Sequence, residues 1–330
     1  MNPVKTDKDF KMFSRWSIRR ITFIGMLIAI SVSFFLVVVQ LMPFLSLPSY
    51  KISIIGLPIK IAGFIFGPVV GGFVGLVSEL ISYALVPTYF DKFFILAAVL
   101  DGVIPGIISW LFFRLIRFCY GGKFTDGVYA EKIYKLFKKL DKLRLNPIEN
   151  EKTIEKIEDK IILLNNYRFG SKLHKTSKRN LLNINMIVCL LIILFIIVAV
   201  VSYIGFHVDE AVIQRGVIPN RWLLLGIMLS GYVLMMLFII AARFKLRRQL
   251  YLVIVPIVVF SAVLETFNVP ILALAEQNSL ENGKHVGSIF VYMFQHIVTS
   301  PVKIWGNMFI IFFTYQIISP LIYKNHEITY

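Results

Sequence analysis

Apolar residues in this chain come in long unbroken runs separated by short polar or basic stretches. The runs are Ile/Leu/Val/Phe blocks of roughly the ~20 residues that cross a ~30 Å hydrocarbon layer. Lipid offers no partner to a backbone N–H or C=O, so a span must be a helix or a closed barrel. A barrel needs strict alternation, which these blocks lack, so the pattern predicts helices. The expected segments are about 21–42, 54–67, 69–86, 93–118, 186–206, 222–242, 250–275 and 288–318, the second of them short. Gly67-Pro68 separates the second from the third, because proline cannot continue a helix interior.

Composition agrees: the chain is 57% hydrophobic with a mean hydropathy of +0.75, against the roughly 45–50% apolar content of globular chains. The formal charge is +16 and the pI about 9.8. In a soluble protein that balance would point to nucleic acid. Here no zinc spacing or aromatic RNA-binding motif accompanies it, and the basic residues mark cytoplasmic loops facing anionic headgroups. Nucleic acid is therefore not an expected partner; the lipid bilayer is. The two cysteines, Cys119 and Cys189, have no metal-ligand spacing.

The basic segments set the topology. Residues 1–20 carry Lys5, Lys8, Lys11, Arg15, Arg19 and Arg20 against Asp7 and Asp9. They form an expected cytoplasmic N-terminus, followed by a retained first helix, since the apolar run is too long for a signal-peptide core. Residues 119–185 mix Lys132, Lys135, Lys138, Lys139, Lys142 and Arg144 with Glu149, Glu151, Glu155, Glu158 and Asp159. They read as a cytoplasmic insertion with amphipathic helices near 128–145 and 150–166. The Arg243–Arg248 cluster lies inside as well, and loops 207–221 and 276–287, poor in basic residues, lie outside. Both termini are then cytoplasmic, and the expected location is the cell membrane.

Charges inside spans cost ~2.5–3.5 kcal/mol each on insertion scales and need a reason. Lys60, Glu79, Asp101 and Glu265 stand out. Counted from Gly67-Pro68, Lys60 and Glu79 lie about 5 Å apart in depth at 1.5 Å per residue. A Lys60–Glu79 ion pair and a Lys60 contact to a substrate carboxylate both stay open. Gln295, His296 and Asn268 can hydrogen-bond a heteroaromatic ring, and Lys303 lies deeper. Tyr50, Tyr89, Phe90, Phe93 and Phe94 crowd the expected outer loops, as interfacial anchors or as a stacking surface. Gly25, Ala29 and Ser33 recur on one helix face, a small-residue surface suited to close helix packing, within this chain or against a partner. No phosphate-binding loop, zinc-protease motif or nucleophile elbow occurs, so no catalytic, metal or cofactor site is expected. ATP-driven transport would need a partner to hydrolyse the ATP.

Three stretches resemble the S components of energy-coupling factor (ECF) transporters. Gly25-Met-Leu-Ile-Ala29 is similar to the family's A-x-x-x-A stretch, with glycine for the first alanine. Leu57–Ser82 resembles its L-P-I-x-x-A-G-x-x-F-G-P-x-x-G-x-x-x-G-x-x-x-D/E signature. Gly102-Val-Ile-Pro-Gly106 resembles its G-L-I-P-G ending. Near the C-terminus, Pro301 and Asn307 fit the folate-type pattern R-x-x-x-x-P followed by asparagine, with His296 in the arginine position.

The resemblance implies an all-α polytopic membrane protein with a six-helix S-component-like core. The expected organisation is a cytoplasmic N-terminus (1–20), four core helices (21–118), the cytoplasmic insertion (119–185), an extra transmembrane hairpin (186–249), and the last two core helices with the C-terminal tail (250–330). It implies a substrate-specificity subunit that captures a vitamin, folate first and riboflavin or another vitamin next. The implied partners are a transmembrane coupling subunit and two ATPase subunits. Substrate contacts are expected from Tyr50, Lys60, Glu79, Phe94, Asn268 and His296, and the partner contact from Gly25, Ala29 and Ser33. The alternative from another class is a stand-alone secondary transporter using Glu79, Asp101 and Glu265 as proton sites.

Overall fold

The computed structural model describes residues 18–41, 56–85, 91–120, 123–144, 147–173, 175–214, 218–280 and 289–324. The chain is an all-α polytopic membrane protein. Among the described residues, six helices are long and apolar enough to cross a bilayer, and two shorter apolar helices, Ile21–Val37 and Leu57–Phe66, accompany them. The main helices are α1 (Ile18–Leu41), α2 (Leu57–Phe66), α3 (Pro68–Leu85), α4 (Lys92–Trp110), α5 (Lys123–Leu143), α6 (Pro147–Leu173), α7 (Lys175–Ser202), α8 (Arg221–Lys245), α9 (Arg248–Leu280) and α10 (Ile289–Lys324).

Two compact units divide the chain, one formed around residues 111–185 and the other from 11–110 with 186–330. The first is built on the α5–α6 hairpin. Ile133, Leu140, Ile157 and Ile161 form its apolar core, with Leu136, Leu143, Ile154 and Leu164 against it. These positions recur at helical spacing in an otherwise charged sequence, which is why the hairpin forms. Arg144 pairs with Glu158 at 2.7 Å across it. On α5, the Lys135 ammonium holds the Glu131 carboxyl below its usual range.

The second unit contains the apolar helices. α1 packs on α2 and α3, α2 and α3 pack on α4, α4 packs on α9, and α9 packs on α10. α10 in turn touches α2 and is covered by α8. α4 and α9 run antiparallel in a clear register. Asn278 donates to Asp91 Oδ2 at one end (3.3 Å), Phe94 and Ala97 pack on Leu272 and Ala275, and Asn268 donates to Asp101 Oδ1 further along (2.9 Å). Phe64 of α2 meets Phe260 of α9 and Tyr315 of α10, with ring centroids 5.4 and 5.2 Å away. Outward positions on α7 and α8 are large and apolar, such as Leu191, Phe195, Leu234 and Leu237. A bilayer covers such side chains without cost.

Backbone approach fixes the helix crossing at the centre of the unit. Gly67 takes φ 94, ψ 174 and ends α2, while Pro68 opens α3, where its missing N–H is no loss. The two helices fold back onto α4 so closely that Gly63, Gly71 and Gly102 form one joint. A Cβ on Gly63 or Gly71 would collide with the Gly102 carbonyl, and a Cβ on Gly102 would collide with the Gly71 carbonyl. Ser109 Oγ locks the same crossing by donating to the Phe64 carbonyl at 2.7 Å. Every Cβ contact here is with backbone, so nothing flexible can give way. Gly102→Val is therefore expected to abolish the folded membrane unit. Detergent-solubilised protein would lose its monodisperse size-exclusion peak, whereas Gly127→Val, at a glycine with open space around it, would keep it.

Candidate functional site

Intramembrane polar side chains from four helices converge in the second unit. Lys60 on α2 is buried, with 2% of its surface exposed, and its Nζ lies 3.5 Å from Asp101 Oδ2 on α4, a residue with 0% exposure. Asn268 on α9 donates to the other oxygen of the same carboxylate, Oδ1, at 2.9 Å. A lysine, an aspartate and an asparagine from three helices thus form one chain. The depth arithmetic left a Lys60–Glu79 pair open; the structure also sets Lys60 against Asp101, one helix further on. The glycine joint explains this, because Gly102 brings the α4 backbone against Gly63 of α2, and Asp101 comes with it. Glu79, half-buried on α3, is felt electrostatically by Asp101.

A second chain joins α9 to α10. His296 is fully buried, and its Nε2 lies 3.0 Å from Glu276 Oε1. Gln295 donates to Glu276 Oε2 at 2.8 Å. The Lys303 ammonium lies 3.3 Å from His296 Nδ1. An ammonium donates, so Nδ1 accepts and Nε2–H donates to Glu276, which fixes the neutral tautomer. Glu265, buried on α9, interacts electrostatically with Lys303, His296, Lys60 and Asp101 and so links the two chains. Among these groups two ammoniums face four carboxylates: Lys60 and Lys303 against Asp101, Glu265, Glu276 and Glu79.

The expected site residues fare differently. Lys60, Asn268 and His296 belong to this cluster, and Glu79 borders it. Phe94 is buried in the apolar contact between α4 and α9, beside Ala97, Leu272 and Ala275, which is a packing position. Tyr50, Tyr89 and Phe90 lie outside the described residues. Gly25, Ala29 and Ser33 are all exposed, and a Cβ on Gly25 would meet nothing within 4 Å. Among the described residues, nothing packs closely on that small-residue face. Glu276 was assigned to an outer loop; it lies inside α9, which runs on to Leu280. Its signal was present in the spacing. Glu265, Asn268, Leu272 and Glu276 fall at i, i+3, i+7 and i+11, one face of a helix.

Residues 19–128, a third of the chain, match the family model described as ECF transporter, substrate-specific component. The match supports the S-component family. It spans α2 to α4 and nearly all of α1, including both the glycine joint and the Lys60–Asp101 pair. No curated protein and no solved structure matches the chain. The matched family is one of transporter substrate-binding subunits, not of enzymes.

Breaking a buried ion pair by removing one partner costs ~3–5 kcal/mol, because the other charge is left uncompensated. Lys60→Met alone is expected to destabilise the protein by about that much. Lys60→Met combined with Asp101→Asn should recover most of the loss. Thermal unfolding of the two variants in the same detergent measures the difference, and a double variant at least as unstable as the single one contradicts the pairing.

Proposed function

We propose that this chain is the substrate-capturing subunit of an ECF-type importer, binding a small vitamin at the Lys60–Asp101–Asn268 cluster. The observation that carries the reading is the convergence of the family-matched helices α2 and α4 with α9 on that one buried polar chain. Intramembrane ionisable groups are costly and are kept at substrate or ion pathways, and this group lies where the matched segment meets the C-terminal helices. Capture takes place from outside, with both termini in the cytoplasm, and a coupling subunit with two ATPase subunits supplies the energy. Folate is the ligand suggested by Pro301 and Asn307. His296, in the position of the pattern's arginine, is held between Glu276 and Lys303, so it does not act as a substitute guanidinium. The basic 119–185 region is cytoplasmic in this reading, and α7 and α8 form an added hairpin.

The buried carboxylates Asp101 and Glu265 are also what a proton-coupled carrier would use, so the decisive experiment separates the two. Protein purified without added ligand is expected to release a bound vitamin identifiable by mass spectrometry. In vesicles it should accumulate that vitamin only when the coupling and ATPase subunits and ATP are present. Uptake by the isolated chain under a proton gradient would instead establish the secondary transporter.

The exposed Gly25–Ala29–Ser33 face is the proposed contact for the coupling subunit. Close packing there needs small side chains. Ala29→Leu is expected to abolish co-purification with the coupling subunit while vitamin binding by the isolated chain stays within about twofold, since Ala29 is exposed among the described residues. Pull-down and titration calorimetry on the same preparation check both halves.

A further inference from the structure

The α5–α6 hairpin sorts its charges onto opposite flanks. On α5, Lys132, Lys135 and Lys139 recur at i, i+3 and i+7 and form one exposed ridge. On α6, Lys156, Lys160, Leu163 and Tyr167 recur at i, i+4, i+7 and i+11 and form a second exposed ridge. Glu151, Glu155 and Glu158 follow the same spacing on a different side of α6, and Ile162 continues their ridge. Each residue turns the helix by roughly 100°, so Ile162 and Leu163 diverge although they are adjacent.

One ion pair fixes how the two helices share these ridges. Arg144 donates to Glu158 at 2.7 Å, which sets the glutamate ridge of α6 beside Arg144. Arg144 lies roughly 150° round α5 from the middle of the Lys132–Lys135–Lys139 ridge. Across the core of Ile133, Leu140, Ile157 and Ile161, the lysine ridges of both helices therefore share the other flank. Glu131 and Asp159 point away from that core, between the flanks, and Lys135 already holds Glu131 at 2.8 Å.

The lysine flank ends in apolar side chains. Leu163 and Tyr167 are 52% and 56% exposed, and Tyr129 stacks on Tyr167 with ring centroids 6.4 Å apart. Lysines beside an exposed leucine and tyrosine suit the surface of an anionic bilayer. Ammonium groups meet lipid phosphates, while leucine and tyrosine settle at the boundary between headgroups and acyl chains. The chain keeps a bilayer within reach: α5 begins three residues after the apolar segment Lys92–Tyr120, and α6 ends seven before Asn180–His207.

We propose that the lysine flank of this hairpin docks on anionic lipid headgroups, with Leu163 and Tyr167 entering the interface. The glutamate flank stays in water. This surface depends neither on the solute carried nor on what drives its uptake.

The test uses full-length protein carrying Cys119→Ser, Cys189 being buried. A bimane label is attached at Leu163→Cys or at Ile162→Cys, and the protein is placed in nanodiscs containing doxyl-labelled lipid. In phosphatidylglycerol discs the Leu163→Cys label is expected to be quenched at least about threefold more than in phosphatidylcholine discs. The difference should vanish in ~1 M salt, where the screening length falls to about 3 Å. The Ile162→Cys label should be quenched little in either lipid. Replacing Lys132, Lys139, Lys156 and Lys160 together by glutamine should remove the lipid dependence; should that variant fail to fold, the salt response of the unaltered flank decides. Equal quenching of the Leu163→Cys label in both lipids overturns the proposal, and so does equal quenching of the two labels. Shielding of the Leu163→Cys label only after the coupling and ATPase subunits are added would put a protein on this flank and overturn it as well. None of these outcomes bears on ATP-dependent uptake, so the importer reading stands or falls separately.

Discussion

A charge in hydrocarbon must be answered by another charge or by a ligand, and the membrane unit is organised around that demand. Lys60 by itself would raise the cost of inserting α2 by a few kcal/mol, and α2, with only 10 residues, is too short to span alone. Asp101 answers it only because the α2 and α4 backbones nearly touch at Gly63 and Gly102. The glycines and the ion pair are therefore one device: a side chain at either glycine would separate the helices that the charges require to be close. Asn268 and Glu265 extend the same demand to α9, and Lys303 and His296 extend it to α10. Hydrophobic burial does not drive helices together in lipid, so close backbone packing and polar pairing carry the assembly.

Much of this was legible in the chain. The apolar runs located the apolar helices, because spanning length is set by the bilayer, although α7 starts at Lys175 rather than near 186 and α9 runs on to Leu280. Gly67-Pro68 marked the α2–α3 corner, since each residue has a backbone reason to be there. The Lys60–Asp101 pairing was not legible. Depth along two adjacent helices made Glu79 one candidate, and depth says nothing about which neighbour a helix turns toward. That choice was made by Gly102, whose contact with Gly63 and Gly71 is a three-dimensional fact with only a generic trace in sequence. Glu276 was misplaced for a simpler reason: the polar residues Glu276, Gln277, Asn278 and Ser279 resemble a loop, yet they form the last turns of α9, where Asn278 reaches Asp91 and Glu276 reaches His296. The i, i+3, i+7, i+11 stripe from Glu265 outweighs local polarity there.

The exposed small-residue face and the polar cluster lie on different helices, and their connection is short. α1 carries Gly25, Ala29 and Ser33 and packs on α2 and α3. Phe23 of α1 meets Phe66 of α2 edge-on, with centroids 5.5 Å apart, and Phe66 is six positions from Lys60 on the same short helix. A partner docked on α1 thus bears on the helix that supplies the lysine of the cluster. α2 ends at Gly67, where the backbone takes a conformation other residues avoid, so the α2–α3 corner has one defined geometry and its displacement would carry Lys60 relative to Asp101. Since Asp101 also belongs to the proposed binding cluster, separating it from Lys60 changes the charge that a ligand there would face. Docking at α1 and binding at Asp101 would then be coupled through α2, and by linkage the coupling is reciprocal: a ligand that prefers one Lys60–Asp101 spacing favours or opposes docking by the same free energy.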